Sequence, residues 1–236
     1  PEQLRNQKPG SRIVVLGGAA SGKTTMLRAA IKELEIQGAK HDEIEVLTPS
    51  RLSARTLGNQ IAIDSVLPAS RSRARSVSAL AFEYIRAANK EIGLLSGANQ
   101  ELVLTQILQE KIRAGISKSW GFDSLTLELK GFRAELRDLV SVFLENQLDQ
   151  ESLTKLHLDF PKLKLAVLKD VLPDYLKILE ERGLVDPSLL LIRGTAQIGK
   201  TESAAKYLFI DDAQDFSTAG LKFIQQLSKD KNLVVF

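Results

Sequence analysis

The stretch Arg12-Ile13-Val14-Val15-Leu16-Gly17-Gly18-Ala19-Ala20-Ser21-Gly22-Lys23-Thr24-Thr25 decides the reading of this chain: an apolar run enters a glycine-rich turn that ends in Lys and Thr. It reads as a strand followed by a phosphate-binding loop. Gly17 and Gly22 can take backbone angles closed to other residues, so several N–H groups turn toward one anion, and the following helix adds its positive end. In this pattern the backbone from Gly17 to Thr25, with Gly18, Ala19, Ala20 and Ser21 between, cradles phosphate. Lys23 reaches the β- and γ-phosphates, and the Thr24 hydroxyl holds Mg²⁺.

The same eight-residue pattern recurs at Gly194-Thr195-Ala196-Gln197-Ile198-Gly199-Lys200-Thr201. Context separates the copies. After Thr24 come Met26, Leu27, Ile31 and Leu34 at helical spacing, then Ile44-Glu45-Val46-Leu47, which fits a returning parallel strand. After Thr201 only Glu202 to Lys206 precede the apolar run Tyr207-Leu208-Phe209-Ile210, whereas a parallel crossover needs about a dozen residues. The second copy is therefore expected to be a helix end or a surface loop.

Composition narrows the class. The chain has 236 residues, 44% hydrophobic and 26% charged, as in ordinary globular proteins. It has no cysteine, which excludes disulfides, zinc–thiolate sites and thiol nucleophiles. His41 and His157 have no ligand-like neighbours and read as surface or cap residues. No apolar run is long enough to span a bilayer and no signal-peptide plan is present, so a cytoplasmic setting without membrane partners is expected. A net charge of +3 does not by itself argue for nucleic acid. The opening residues lack a methionine and the chain stops on a strand-like run, as expected of a piece of a longer protein. Gln3 reads either as a solvated polar residue or as an amide bonding an adenine edge.

Along the chain, strand Ile44 to Leu47 ends in Thr48-Pro49-Ser50-Arg51, ahead of a helix expected from Leu52 to Ile61. These residues fall at the carboxyl edge of a parallel sheet, where such folds bind ligands. From Arg51 to Arg75 there are five arginines and one acid, Asp64. The segment reads either as a nucleic-acid contact or as a solvated loop over Pro68 to Arg75. Ser76 to Phe82 reads as a short turn entering a helix through Arg86. Between Asn89 and Gly199 helical spacing takes over: Leu104, Ile107, Leu108 and Ile112 share one face, and Leu125, Leu129, Phe132, Leu136, Leu139 and Phe143 another. A third helix is expected from Pro161 to Gly183, kinked or split at Pro173, and a fourth from Asp186-Pro187. Trp120 reads as packed core. The sheet pattern resumes at Tyr207-Leu208-Phe209-Ile210-Asp211-Asp212-Ala213-Gln214-Asp215, an apolar strand running into paired acids. One carboxylate there would order the Mg²⁺ shell and the other polarise the attacking water. A helix from Thr218 to Leu227 and a strand from Asn232 to Phe236 complete the chain.

In this order the motifs resemble the first motor domain of UvrD/RecB-type superfamily 1 DNA helicases. The match rests on Gly17 to Thr25, on Leu47 to Arg51 with Ala54 and Leu57, on Ser76 to Ala81, and on Ile210 to Asp215. Within the helical stretch, Leu94 to Gln100 and Gly131 to Leu139 look like actinobacterial helicase–nuclease subunits that resect double-strand breaks, similar in role to RecBCD and AddAB. The resemblance implies an α/β fold: a RecA-like P-loop NTPase sheet with helices on both faces, residues 1–88 and 204–236, interrupted by an all-helical insertion, 89–203. It also implies an ATP-dependent helicase with ATP and Mg²⁺ as cofactors. Lys23 and Thr24 would take phosphate and metal, Asp211 the metal, Asp212 the role of catalytic acid, and Gln214 γ-phosphate sensing. Thr48, Arg51, Ser76 and Ser78 would face single-stranded DNA.

Three positions depart from the family's pattern. Asp212 stands where Glu is usual, Pro49 replaces a frequent aromatic and Ser78 a frequent His. Each reads as an attenuated motor or as variation. The implied partners are single-stranded DNA or DNA ends, a second RecA-like domain of the same polypeptide, and a paired helicase–nuclease subunit. The second domain would supply an arginine finger, which can be worth roughly 10³–10⁵ in rate, so this chain alone is expected to hydrolyse ATP poorly. A non-hydrolysing scaffold subunit is the competing function. A small-molecule kinase is disfavoured, because no lid or phosphoacceptor site is apparent.

Overall fold

The computed structural model describes residues 10–18, 20–67, 72–145, 162–200 and 203–236. Gln3, Ala19, His157, Pro161 and Thr201, singled out above, lie outside the described residues. In chain order the elements are β1 (Arg12–Val14), α1 (Lys23–Ile36), β2 (Ile44–Thr48), α2 (Arg51–Asp64), β3 (Ala74–Ser76), α3 (Val77–Ala88), β4 (Gly93–Leu94), α4 (Gly97–Arg113), α5 (Ser124–Glu128), α6 (Lys130–Glu145), α7 (Lys162–Glu181), β5 (Leu184–Val185), α8 (Leu190–Thr195), β6 (Tyr207–Ile210), α9 (Thr218–Leu227) and β7 (Asn232–Val235). The chain divides into two compact units, 1–88 with 191–236, and 89–190.

The first unit is an α/β layer structure. Five parallel strands run in the order β1-β7-β6-β2-β3. β2 is buried at all five positions, as a strand covered on both faces must be. On one face, Leu27 and Ile31 of α1 and Leu57 and Ile61 of α2 pack with Val46, Phe209 and Val234. On the other, Val77, Leu80 and Tyr84 of α3 and Phe223 and Leu227 of α9 pack with Leu47, Leu208 and Ile210. Each such side chain contributes roughly 1.5–3 kcal/mol when fully buried. Because every strand is parallel, the ends of β1, β2, β6 and β7 all open onto one edge. The two glycine loops and acidic turns of the sequence are sorted by that geometry.

β3 differs from the expected solvated loop. Its three residues pair with Val46 to Thr48 of β2. The Arg75 guanidinium donates Nε to Glu45 Oε1 at 2.7 Å and a terminal nitrogen to Glu45 Oε2 at 2.6 Å, and it also binds Glu83. This cross-strand ion pair holds a short strand that has no apolar run of its own.

The second unit is mainly helical but not all-helical as expected: β4 and β5 pair in parallel, Gly93 opposite Leu184 and Leu94 opposite Val185. Val103, Leu104 and Ile107 of α4, Leu136 and Val140 of α6, and Val171 and Tyr175 of α7 form its core, with Trp120 fully buried among them and its Nε1 donating to Asp170 at 2.7 Å. Two corrections concern helix boundaries. The stripe from Leu125 to Phe143 is not one helix: Leu129 adopts an extended backbone between α5 and α6, and Leu125 and Leu129 are 75% and 59% exposed. Pro173 does not split α7, a continuous helix of 20 residues. Asp186 starts a short 3₁₀ turn, Pro187–Leu189, that leads into the six-residue α8.

Candidate functional site

The carboxyl edge of the sheet carries a cleft of about 920 Å³, lined by Leu16, Gly17, Ala20, Ser21, Gly22, Lys23, Thr24 and Thr25 on one side and by Asp212, Ala213, Gln214 and Phe236 on the other. Its geometry follows from the strand order. β7 lies beside β1 and β6 beside β7, so the turns after β1 and β6 face the same opening. The apolar strand end brings the loop there, and Gly22 at φ +87° turns it into α1.

Gly22 caps α1 with no side chain, so the first N–H groups of this 14-residue helix have no side-chain acceptor. That leaves donors and the positive end of the helix for an anion. α2 provides the contrast within the same sheet: Ser50 accepts from the Ser53 amide at 3.0 Å and closes its own N-terminus. Lys23 folds over the loop, its Nζ donating to the Gly17 carbonyl at 2.9 Å and the Gly18 carbonyl at 2.8 Å. The ammonium is thereby held against the first residues of the loop.

Across the floor, the Thr24 hydroxyl lies 3.4 Å from both carboxylate oxygens of Asp211, 187 residues away in sequence. Asp211 is 6% exposed, and its amide donates to the Leu47 carbonyl. Burial pushes its carboxyl above the usual carboxylate range, the neighbouring Asp212 charge adds to this, and the Thr24 hydroxyl and Lys23 partly offset it. A cation between Thr24 and Asp211 would relieve that desolvated charge. The donors present, one hydroxyl and one carboxylate, suit a Mg²⁺ that takes its remaining oxygens from phosphate and water. No cluster of three or more His, Cys, Asp or Glu able to hold a metal unaided occurs among the described residues.

Asp212 sits at φ +52°, and Gln214 Nε2 donates to its Oδ1 at 3.4 Å. Ala20, at φ +57°, is the other non-glycine residue with positive φ among the described residues. Both line the cleft, and neither conformation had any signal in the sequence. Leu16, Ala213 and Phe236 also line it without having been marked beforehand. A second cavity, about 220 Å³, opens at the opposite sheet edge among Asp42, Glu45, Arg75, Glu83, Tyr84 and Lys231, and holds none of the expected site residues.

The residues expected to face DNA are treated unequally by the fold. Thr48 is fully buried, its hydroxyl donating to the Ser50 carbonyl at 2.9 Å. Ser76 is buried too, its Oγ accepting from the Ala79 amide at 3.3 Å to cap α3. Arg51 is exposed and Ser78 half-buried. The second glycine pattern is placed by packing. Gly194 lies inside α8, where a Cβ would stand 2.7 Å from the Cβ and 2.9 Å from the Cα of Ala81.

A parallel sheet with a glycine loop after β1, an uncapped helix behind it and a buried acid after β6, with β7 between the two strands, defines a P-loop ATPase of the RecA-like kind. The whole chain, residues 1–236, matches the family model of the UvrD/REP helicase N-terminal domain, and the protein belongs to that family. No match was found among curated proteins. Membership makes the chain the N-terminal domain of an ATP-dependent helicase motor, a class that uses ATP with Mg²⁺ and has DNA as its partner. Among the described residues no helix is long and apolar enough to cross a membrane.

Proposed function

We propose that this domain is the ATP-binding part of a DNA translocase that processes double-strand breaks in the cytoplasm, as a subunit of the helicase–nuclease kind. The observation that carries the ATP site is the meeting of Thr24 with Asp211 opposite the uncapped N-terminus of α1. The backbone from Gly17 to Gly22 would bind phosphate, Lys23 would exchange its two carbonyl partners for phosphate oxygens, and Thr24 with Asp211 would hold Mg²⁺. Bound Mg²⁺ would supply charge neutralisation between the phosphates. Asp212 would accept the proton of the attacking water, and Gln214, bonded to it, would report the γ-phosphate. A second RecA-like domain would close the site with arginines. The placement in break processing rests on the sequence resemblance over Leu94 to Gln100 and Gly131 to Leu139.

The test is ATP turnover by the intact helicase that contains this domain together with its second RecA-like domain, with and without a single-stranded oligonucleotide. Stimulated hydrolysis that needs Lys23 is the expected result; turnover indifferent to DNA would overturn the reading. One observation favours a second, non-hydrolysing scaffold reading. Asp212 is a short acid in a left-handed backbone where the family's usual residue is longer. Turnover of that intact protein that appears only with Asp212→Glu would support that reading, and robust turnover without the substitution would exclude it.

A further inference from the structure

The five arginines between Arg51 and Arg75 do not form one basic surface. Arg73 is buried in an ion pair with Glu35, which also accepts from the Ser65 hydroxyl at 2.6 Å and the Val66 amide at 2.8 Å. Burial raises the Glu35 carboxyl, but these hydrogen bonds and the Arg73 charge outweigh it and hold the group below its ordinary range. Arg75 is divided between Glu45 and Glu83. Arg71 lies outside the described residues. Arg51 and Arg55 are left, both exposed and neither engaged by a described acid.

These two stand one helical turn apart, about 40° around and about 6 Å along α2. Their setting is unusual for a solvated helix face. The first turn of α2 has no acid, and its one acid, Asp64, is engaged by Arg28, whose Nε donates to Oδ2 at 2.6 Å. Cations near a helix N-terminus also oppose its positive end, at a cost of roughly 0.3–1 kcal/mol each where exposed. Beside them on the outward face, Leu52 is 75% and Ile63 is 82% exposed, with Asn59 between. An acid-free strip with two unpaired guanidinium groups and an exposed leucine complements a polyanion that also presents apolar faces.

We propose that Arg55 is a second phosphate-binding residue, and that the outward face of α2 extends the single-stranded DNA track beyond Arg51, with Leu52 lying against a base. The inference rests on the reading of Thr48 to Arg51 as the DNA side of the domain, but Arg55 has no part in that reading. Two arginines a turn apart can engage neighbouring phosphates of one strand, whereas Thr48 and Ser76 have hydroxyls occupied within the fold.

The experiment is fluorescence anisotropy of a labelled oligothymidylate across a salt series, with unaltered chain, Arg51→Gln, Arg55→Gln and Arg55→Lys. Each phosphate contact removed should lessen the magnitude of the slope of log K against log salt by about 0.7. Arg55→Gln should show that loss with affinity several-fold lower, and Arg55→Lys should largely restore the slope. A slope unchanged in Arg55→Gln but reduced in Arg51→Gln removes Arg55 from the track and leaves the DNA reading intact. Slopes unchanged in both variants, or no binding by the unaltered chain at low salt, overturn the inference together with the reading beneath it.

Discussion

Gly17 to Thr24 and Gly194 to Thr201 carry one sequence pattern and have different physical fates. The local turn is not what separates them: Gly22 and Gly199, at the same place in the pattern, both stand at φ +87°. What precedes and follows does. The first copy leaves a strand and opens a 14-residue helix whose N-terminus has no side-chain cap. The second begins inside the six-residue α8, with Gly194 pressed on Ala81. A glycine loop becomes a phosphate site when a strand aims it and a helix backs it. Otherwise, as here, Gly194 serves packing and Gly199 only turns the chain at positive φ.

Exchange at the lysines should break the comparison most strongly. Lys23→Ala removes the ammonium that donates to the Gly17 and Gly18 carbonyls, and hydrogen bonds to charged groups are worth about 1.5–3 kcal/mol net. Mg²⁺-ATP affinity measured by titration calorimetry should therefore fall by roughly ten- to more than a hundredfold. Lys200→Ala, on an exposed turn, should leave affinity unchanged. Equal effects from the two would erase the distinction.

The glycines should show the reverse pattern in stability. A methyl at Gly194 meets the backbone and Cβ of Ala81, which cannot turn aside, so Gly194→Ala should cost about 1–3 kcal/mol in urea unfolding. A methyl at Gly17 would lie 2.5 Å from Ser21 Oγ, the end of a side chain that can rotate. Gly17→Ala should thus alter nucleotide binding more than stability.

Much of this contrast was legible because it depends on short-range pattern. The strand before Gly17, the helical spacing after Thr24 and the run into Asp211 each lie within a dozen or so residues, and the family resemblance joined them. What the residues alone did not disclose depends on distant partners. β3 exists because Arg75 finds Glu45 on β2, a neighbour 30 residues away. Thr48 and Ser76 have polar side chains that read as surface groups, and only the packed sheet shows their hydroxyls turned inward. The break at Leu129 was hidden by a four-and-three spacing that continues through it, although the backbone there is extended. The left-handed backbones of Ala20 and Asp212 are likewise set by the assembled site.

A smaller effect should come from Asp211, the acid that the first copy faces. Its carboxyl is raised mainly by burial and then by the Asp212 charge. A carboxyl that holds its proton more tightly when folded favours the folded state at low pH. That contribution is lost as pH rises from the unfolded value, about 3.9, through the raised folded value. Asp211→Asn should therefore raise the Tm at pH 7 by a few degrees and flatten its dependence on pH across that window, while lowering the Mg²⁺ dependence of nucleotide binding. A variant less stable than the parent at pH 7 would show that the Thr24 contact outweighs the desolvated charge.

The smallest expected effect separates strain in the loop from its function. Ala20 holds φ +57° in the first copy. A left-handed backbone costs a residue with a Cβ roughly 1–2 kcal/mol, and glycine would remove that cost while adding unfolded-state entropy of roughly 0.5–1 kcal/mol. Ala20→Gly should therefore raise stability by up to about 1.5 kcal/mol. Its effect on affinity depends on whether the strain is present only before nucleotide binds or in both states. The uncapped α1 N-terminus and the Lys23 contacts to Gly17 and Gly18 describe a loop already in its cradle shape, so the strain should be equal in both states and cancel. ATP affinity within about twofold of the parent, beside a higher Tm, is the expected outcome. An affinity lower by tenfold or more would show that the Cβ of Ala20 restricts the loop to its binding shape, and that the first copy owes its function to this constraint as well as to the strand and helix around it.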